Sequence, residues 1–352
     1  MDLKDLQNDW IKEFPSPLII AGPCSAESEA QMLETAQRLK ESGAEVPVFR
    51  AGIWKPRTKP FGFEGVGVIG LNWLKKVKDE FGFKTATEVA NAHHVYAALE
   101  ADVDILWIGA RSTVNPFTVQ EIAVALKGTN KPVLVKNPVN PDLALWIGAL
   151  ERLLGQDVKN LGAIHRGFSS YQKTKYRNVP NWQIALDFKN QYPNIPMFVD
   201  PSHICGRRDL LKDITQEAFN VGYEGAMIES HPNPDAAWSD ASQQITPEVL
   251  ADMLGSLQIR NSDISGFDDE MGKNQKAVKV LQRLFDAGYG TEKEIVNMTM
   301  DEMLALPGVN VADLCIISEL QKSIKANKVI SYLSGKTEVK EETKGTDYGG
   351  TT

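Results

Sequence analysis

The chain has 352 residues, 42% of them hydrophobic and 24% charged, and a net charge of −8. That length can bury one large core and leave room for a smaller domain, while the acidic balance argues against a nucleic-acid partner unless a basic site is local. No apolar run approaches a membrane span or a signal segment, and three scattered cysteines (Cys24, Cys205 and Cys315) form no disulfide framework, so a cytoplasmic protein is expected.

Short apolar, β-branched runs predict strands at 18–21, 46–50, 83–89, 104–108, 132–136, 162–166, 197–200 and 225–229. Amphipathic stretches predict helices between them at 30–41, 66–81, 90–100, 118–127, 142–154, 182–192, 210–221 and 247–257. Eight alternations of this kind read as an α/β fold, a (β/α)8 TIM barrel over residues 1–258. A polar linker follows at 259–270. Helices are then predicted at 275–287, 291–297, 299–305 and 311–330, within a small all-α C-terminal domain at 271–333. The tail, 334–352, is rich in Lys, Glu, Thr and Gly and is expected to be disordered.

In such a barrel the chemistry sits at the C-terminal ends of the strands. Those ends carry Cys24 in GPCS, Arg50 leading into Lys55 and Arg57, Glu88, Arg111, Lys136, Arg166 in HRG, His203 in DPSH, and Glu229. Asp240 follows eleven residues after Glu229. Six cations (Arg50, Lys55, Arg57, Arg111, Lys136 and Arg166) converging in an acidic protein repel one another unless anions fill the space. Guanidinium and ammonium groups suit phosphate, and six are enough for two phosphorylated substrates. Cys24, His203, Glu229 and Asp240 make a mixed soft and hard donor set that can accept one of several divalent ions, Mn2+, Fe2+, Co2+ or Zn2+.

GPCS, KPRT, IGARS, DPSH and IESHPNPDAAWSDASQQ occur in that order. Over residues 15–258 the chain resembles the type I 3-deoxy-D-arabino-heptulosonate 7-phosphate (DAHP) synthases of the β subgroup. The resemblance implies condensation of phosphoenolpyruvate with erythrose 4-phosphate, the first step of the shikimate pathway toward chorismate and the aromatic amino acids. It implies metal ligands Cys24, His203, Glu229 and Asp240, and a phosphoenolpyruvate cradle of Arg50, Lys55, Glu88, Arg111, Lys136 and Arg166. Arg57 and Thr58 would hold the phosphate of erythrose 4-phosphate, and Lys55 would donate a proton to the new alkoxide. A homo-oligomer, dimer or tetramer, is expected from the same resemblance.

Other readings compete with these. The nearest enzyme alternative is 3-deoxy-manno-octulosonate 8-phosphate synthase, whose family carries an Asn-Arg loop where this chain has KPRT. A barrel that only senses phosphorylated metabolites would not need a Lewis acid. Cys205 reads as a packing residue, Cys315 as core of the small domain, and His93 and His94 as capping or surface residues. His165 alternates away from Arg166 or borders the metal cavity, and His231 reads as a supporting residue. Trp54 and Phe61–Phe63 read as packing that positions the KPRT loop. Related β-type enzymes sometimes carry a chorismate mutase unit, but turns at 288–290 and 307–308 break the long first helix that a mutase needs, and none is assigned. LPGV at 306–309 is at most a weak nucleic-acid signal, and the role of this extension stays open between regulation, oligomerisation and a fused unit of unrelated origin.

Overall fold

The computed structural model describes residues 2–55, 62–259 and 275–325. Contacts divide the chain into two units, Met1–Ile259 and Arg260–Thr352. In the first unit eight parallel strands close in chain order: β1 (Leu18–Gly22), β2 (Val48–Arg50), β3 (Lys84–Val89), β4 (Ile105–Ile108), β5 (Val133–Lys136), β6 (Leu161–His165), β7 (Met197–Val199) and β8 (Gly225–Glu229). β8 pairs with β1 from Leu18↔Gly225 to Gly22↔Glu229, which seals the barrel. The outer layer is α1 (Glu29–Glu41), α2 (Ile69–Phe81), α3 (Ala92–Glu100), α4 (Ala110–Thr113), α5 (Pro116–Ala125), α6 (Leu143–Leu154), α7 (Trp182–Gln191), α8 (Pro201–Cys205), α9 (Leu211–Asn220) and α10 (Pro247–Gly255). The short α4 and α8 were not expected. They follow β4 and β7 directly and carry Arg111 and His203.

Local chemistry fixes where the longer helices begin. The side chains of Ser28, Asn91, Asn115, Asp142 and Thr246 each accept a backbone N–H in the first turn of the helix they precede. Such caps satisfy donors that would otherwise be orphaned and contribute about 1 kcal/mol each. His93 and His94 therefore do not cap α3, because Asn91 does.

Alternation along each strand sorts side chains into two cores. Leu18, Ile20, Val48, Ala86, Ile105, Trp107, Leu134, Ile164, Phe198 and Met227 fill the barrel interior. Their neighbours, such as Ile19, Phe49, Leu106, Val135, Ala163 and Ile228, face outward under the helices. The interior is closed from below by a 3-10 turn at Asp9–Glu13. Trp10 of that turn donates from Nε1 to Leu161 O at 3.3 Å and stacks on Phe198 with ring centroids 6.3 Å apart. Asn8 accepts from Leu161 N and donates to Asn194 O, which holds the turn against β6.

The second unit is described by itself. Its helices are α11 (Gln275–Asp286), α12 (Glu292–Asn297), α13 (Met300–Ala305) and α14 (Val311–Lys325). They enclose a separate core that includes Leu281, Leu284, Ile295, Ile317 and Leu320. Thr291 with Glu294, and Thr299 with Glu302, form reciprocal capping boxes that start α12 and α13. One expectation fails here, because Cys315 is exposed. The buried stripe of α14 runs through Ile317, Leu320 and Ile324, and a residue two positions before Ile317 points to the opposite side. The linker beyond Ile259, the end of the last predicted helix at 326–330 and the tail at 334–352 lie outside the described residues.

The plug at the bottom of the barrel generates a prediction. Trp10→Ala empties a site that is buried at 5% exposure and should cost about 3–5 kcal/mol, read as a lower urea midpoint. Substrate KM values should stay at wild-type levels, because the charged layer lies at the other end of the strands. Unchanged stability would show that the turn does not close the core.

Candidate active site

Two residues beyond the apolar interior, the same inward-facing positions change character. Arg50 follows Val48, Glu88 follows Ala86, Lys136 follows Leu134, Arg166 follows Ile164, Asp200 follows Phe198 and Glu229 follows Met227. Arg50, Lys136, Arg166, Asp200 and Glu229 are all buried. Charge in such a layer is tolerable only when it is paired and hydrogen-bonded. Arg50 donates to Glu229 Oε1 at 3.1 Å and to Cys24 O at 2.8 Å. Lys136 donates to Asp200 Oδ2 at 2.7 Å. Gly22, at φ +148, brings the end of β1 so close to β2 that a Cβ there would lie 2.2 Å from Arg50 O. That approach sets Cys24 beside Arg50.

Trp107 forms the floor. Its indole lies 4.9 Å from the Arg50 guanidinium carbon and 5.8 Å from Lys136 Nζ, and its Nε1 donates to Glu88 Oε2 at 3.3 Å. The negative face of the ring stabilises both cations while its edge satisfies an acid. Arg166 is anchored through its backbone N–H, which donates to Asn137 Oδ1 at 2.7 Å. Burial, and the repulsion of Arg177 and Arg111, lower the Arg166 pKa to about 10 against the pull of Asp200. Arg166 therefore remains charged at neutral pH. Arg111 is exposed on α4. Lys55 Nζ lies 3.5 Å from Cys24 Sγ. Arg57 and Thr58 lie outside the described residues.

The donor cluster sits against these cations. Ligand atoms of Cys24, Glu229 and Asp240 lie within 4.8 Å of one another. His203 Nε2 lies 3.8 Å from Glu229 Oε1 and 3.8 Å from Asp240 Oδ2. Its other nitrogen, Nδ1, is held 3.0 Å from Asp200 Oδ1, which turns Nε2 toward the two acids. A carboxylate behind an imidazole in this way is the usual support of a metal-binding histidine. Burial alone would raise the carboxylate pKa values, but nearby charge reverses this. His203 and Lys136 hold Asp200 well below the usual range, His203 and Arg50 lower Glu229, and His203 with Arg177 brings Asp240 to about 2. Burial, then the charge on Glu229, pushes the Cys24 thiol up to about 12. A thiol beside two carboxylates loses its proton readily only to a bound cation, so the site's electrostatics match its donor chemistry.

Residues 13–263 match the DAHP synthetase I family model. The chain belongs to that family. It is 32% identical over 240 residues to phospho-2-dehydro-3-deoxyheptonate aldolase of Thermotoga maritima, covering 68% of each chain. The crystal structure of that enzyme, also called DAHP synthase, superposes with a TM-score of 0.61 at 32% identity, over 68% of this chain and 67% of that one. More distant is 2-dehydro-3-deoxyphosphooctonate aldolase of Legionella pneumophila, 28% identical over 258 residues, covering 68% of this chain and 90% of that protein. The DAHP synthetase I match ends at residue 263 and leaves α11–α14 outside it.

Within this DAHP synthetase I barrel, several side chains at the site were not singled out from sequence. Trp107 looks like ordinary core in the run ILWI. Asp200 stands in DPSH three residues before the more conspicuous His203. Arg177 lies in a loop without periodicity, and Gln243 only stands inside a longer motif. His94 stacks on Trp54 with centroids 4.0 Å apart, which ties α3 to the residue before Lys55. His231 places Nε2 3.4 Å from Glu27 Oε2, and Glu27 accepts from Trp238 N at 2.7 Å. That arrangement supports the loop that carries Asp240. Cys205 is buried, in keeping with a packing role.

His165 faces away from the cavity, toward the helices. Its Nε2 lies 2.6 Å from Pro180 O, an acceptor only, so Nε2 carries the proton and Nδ1 accepts from Tyr223 OH at 2.9 Å. Burial, with help from Arg166, lowers its pKa from 6.5 to about 4. The unfolded chain therefore binds the extra proton between those values, and stability falls as pH drops from about 6.5 to about 4. The loss is on the order of 3 kcal/mol. In His165→Gln the slope of unfolding free energy across this window should flatten. An unchanged slope would contradict the buried neutral histidine.

Proposed function

We propose that the barrel condenses phosphoenolpyruvate with erythrose 4-phosphate, using a divalent ion held by Cys24, His203, Glu229 and Asp240. The observation that carries this reading is the meeting of that four-donor cluster with buried Arg50, Lys136 and Arg166, the first two of them over Trp107. The donors fit such an ion. Two carboxylates and a thiol lie within 4.8 Å of one another, and the histidine beside them is oriented from behind. Mn2+ is the proposed ion and a homo-oligomer the proposed assembly, both from the family resemblance. Among the described residues no helix is long and apolar enough to cross a membrane.

The bound ion would supply Lewis acidity toward the aldehyde carbonyl. Lys136, Arg166 and Arg111 would hold the phosphate and carboxylate of phosphoenolpyruvate by charge-assisted hydrogen bonds. Arg50 and Trp107 would fix the plane of the enol. C3 then bonds to the aldehyde carbon, and the electron pair of the C=O bond moves to oxygen. Lys55, beside Cys24 Sγ, would give that oxygen a proton. Water adds at C2, which has become electron-poor, and loses one proton, replacing the one Lys55 gave. The C2 hydroxyl then becomes the carbonyl as the C2–O bond to phosphate breaks, its proton leaving with inorganic phosphate. Arg57 and Thr58 would hold the phosphate of the second substrate, on the strength of KPRT alone.

The phosphooctonate relatives favour a second reading, in which a longer sugar phosphate is the acceptor. A phosphate-release assay with each aldehyde separates the two. Erythrose 4-phosphate should exceed arabinose 5-phosphate in kcat/KM by at least about tenfold, and the reverse order would establish the second reading. Chelation should abolish turnover and Mn2+ should restore it. Cys24→Ser should lower metal affinity and activity by about 100-fold or more. A chelator-insensitive enzyme would exclude the metal centre.

A further inference from the structure

We propose that Arg177 and Gln243 are positioning residues that decide which oxygen of each acidic ligand faces the metal. The inference rests on the metal centre proposed above and adds two residues to it. Asp240 and Glu229 each divide their oxygens between two environments. Asp240 Oδ2 faces the donor cluster, 3.6 Å from Cys24 Sγ and 3.8 Å from His203 Nε2, while Oδ1 is held by Arg177 Nη1 at 3.1 Å. Glu229 Oε1 lies 3.8 Å from His203 Nε2 and takes a bond from Arg50, while Oε2 accepts from Gln243 Nε2 at 2.7 Å.

The two positioning side chains are themselves linked. Arg177 Nη1 donates to Gln243 Oε1 at 2.7 Å. Because arginine can only donate, this bond fixes the orientation of the amide, and Gln243 must present its NH2 group to the acids. That NH2 group also lies 3.5 Å from Asp240 Oδ2. One guanidinium therefore orients Asp240 directly and Glu229 through an amide. With Asp240 Oδ1 and Glu229 Oε2 held by this pair, Asp240 Oδ2 and Glu229 Oε1 are the oxygens left facing His203, the latter with Arg50 as its own partner.

The surrounding backbone holds Arg177 and Asp240 in place. Arg177 N donates to Cys205 O, Asn178 N to Ile204 O, and Asn178 Nδ2 to His203 O. The Arg177 segment is thus bound to α8, the helix that carries His203. Gly206, at φ +66, admits it, since a Cβ there would lie 2.5 Å from Arg177 Cβ. Asp240 has φ +50, an unfavourable region for a residue other than glycine. Ser25 and Ser239, with hydroxyl oxygens 2.5 Å apart, tie its loop to the Cys24 loop, and Gln244 does the same by accepting from Cys24 N and donating to Ser239 O.

The test is a Co2+ titration of the full chain, read by the thiolate-to-cobalt charge-transfer band and by ligand-field absorption. Arg177 is 40% exposed, so Arg177→Met should leave the core intact. Arg177→Met and Gln243→Leu should each weaken Co2+ binding about 10- to 100-fold and shift the ligand-field bands, while the KM for phosphoenolpyruvate stays near wild type. Arg177→Lys should recover part of the affinity. Wild-type affinity and spectra in both Arg177→Met and Gln243→Leu would overturn the positioning role while leaving the metal centre intact. A wild-type protein that shows no thiolate band would overturn the centre, and this inference with it.

Discussion

A closed parallel barrel has one inward-facing position every second residue, and at the upper end of these strands nearly every such position is charged. Few features of a fold are more costly than a layer of buried charge. The layer persists because cation meets anion within it, Arg50 with Glu229 and Lys136 with Asp200. The apolar interior one step below, sealed by Trp10, contributes the hydrophobic stabilisation that offsets it. Site and core are thus successive levels of the same strands. A shift of one residue in any of them would send its charged end outward under the helices.

That constraint explains what was legible in the sequence. Eight apolar runs, each followed by a charged or metal-binding residue, located the strands and the mouth together. The motifs then assigned Cys24, Lys136, Arg166, His203 and Glu229 to one end of the barrel. His165 was open on sequence, and strand alternation placed it outside the wall, bonded to Pro180 and Tyr223. Side chains whose roles depend on tertiary approach were not legible. Trp107 is indistinguishable from core until two cations are seen over its ring. Arg177 comes from an aperiodic loop that meets Asp240 only after folding. Cys315 was misplaced because a run of apolar neighbours hid which face of α14 is buried.

Electrostatics links the two halves of the site. The acids around His203 are held ionised by that histidine and by neighbouring cations, Lys136 for Asp200, Arg50 for Glu229 and Arg177 for Asp240. A separate helical unit, α11–α14, completes the described residues. It has its own core and lies beyond the family match.

On this reading the cation layer and the donor cluster form one site for a metal and phosphoenolpyruvate. Anomalous diffraction from crystals grown with Mn2+ and phosphoenolpyruvate tests it most directly. The expected result is one anomalous peak bonded to Cys24, His203, Glu229 and Asp240, with the ligand's phosphate against Lys136 and Arg166. A peak elsewhere, or phosphate bound away from those cations, would contradict it.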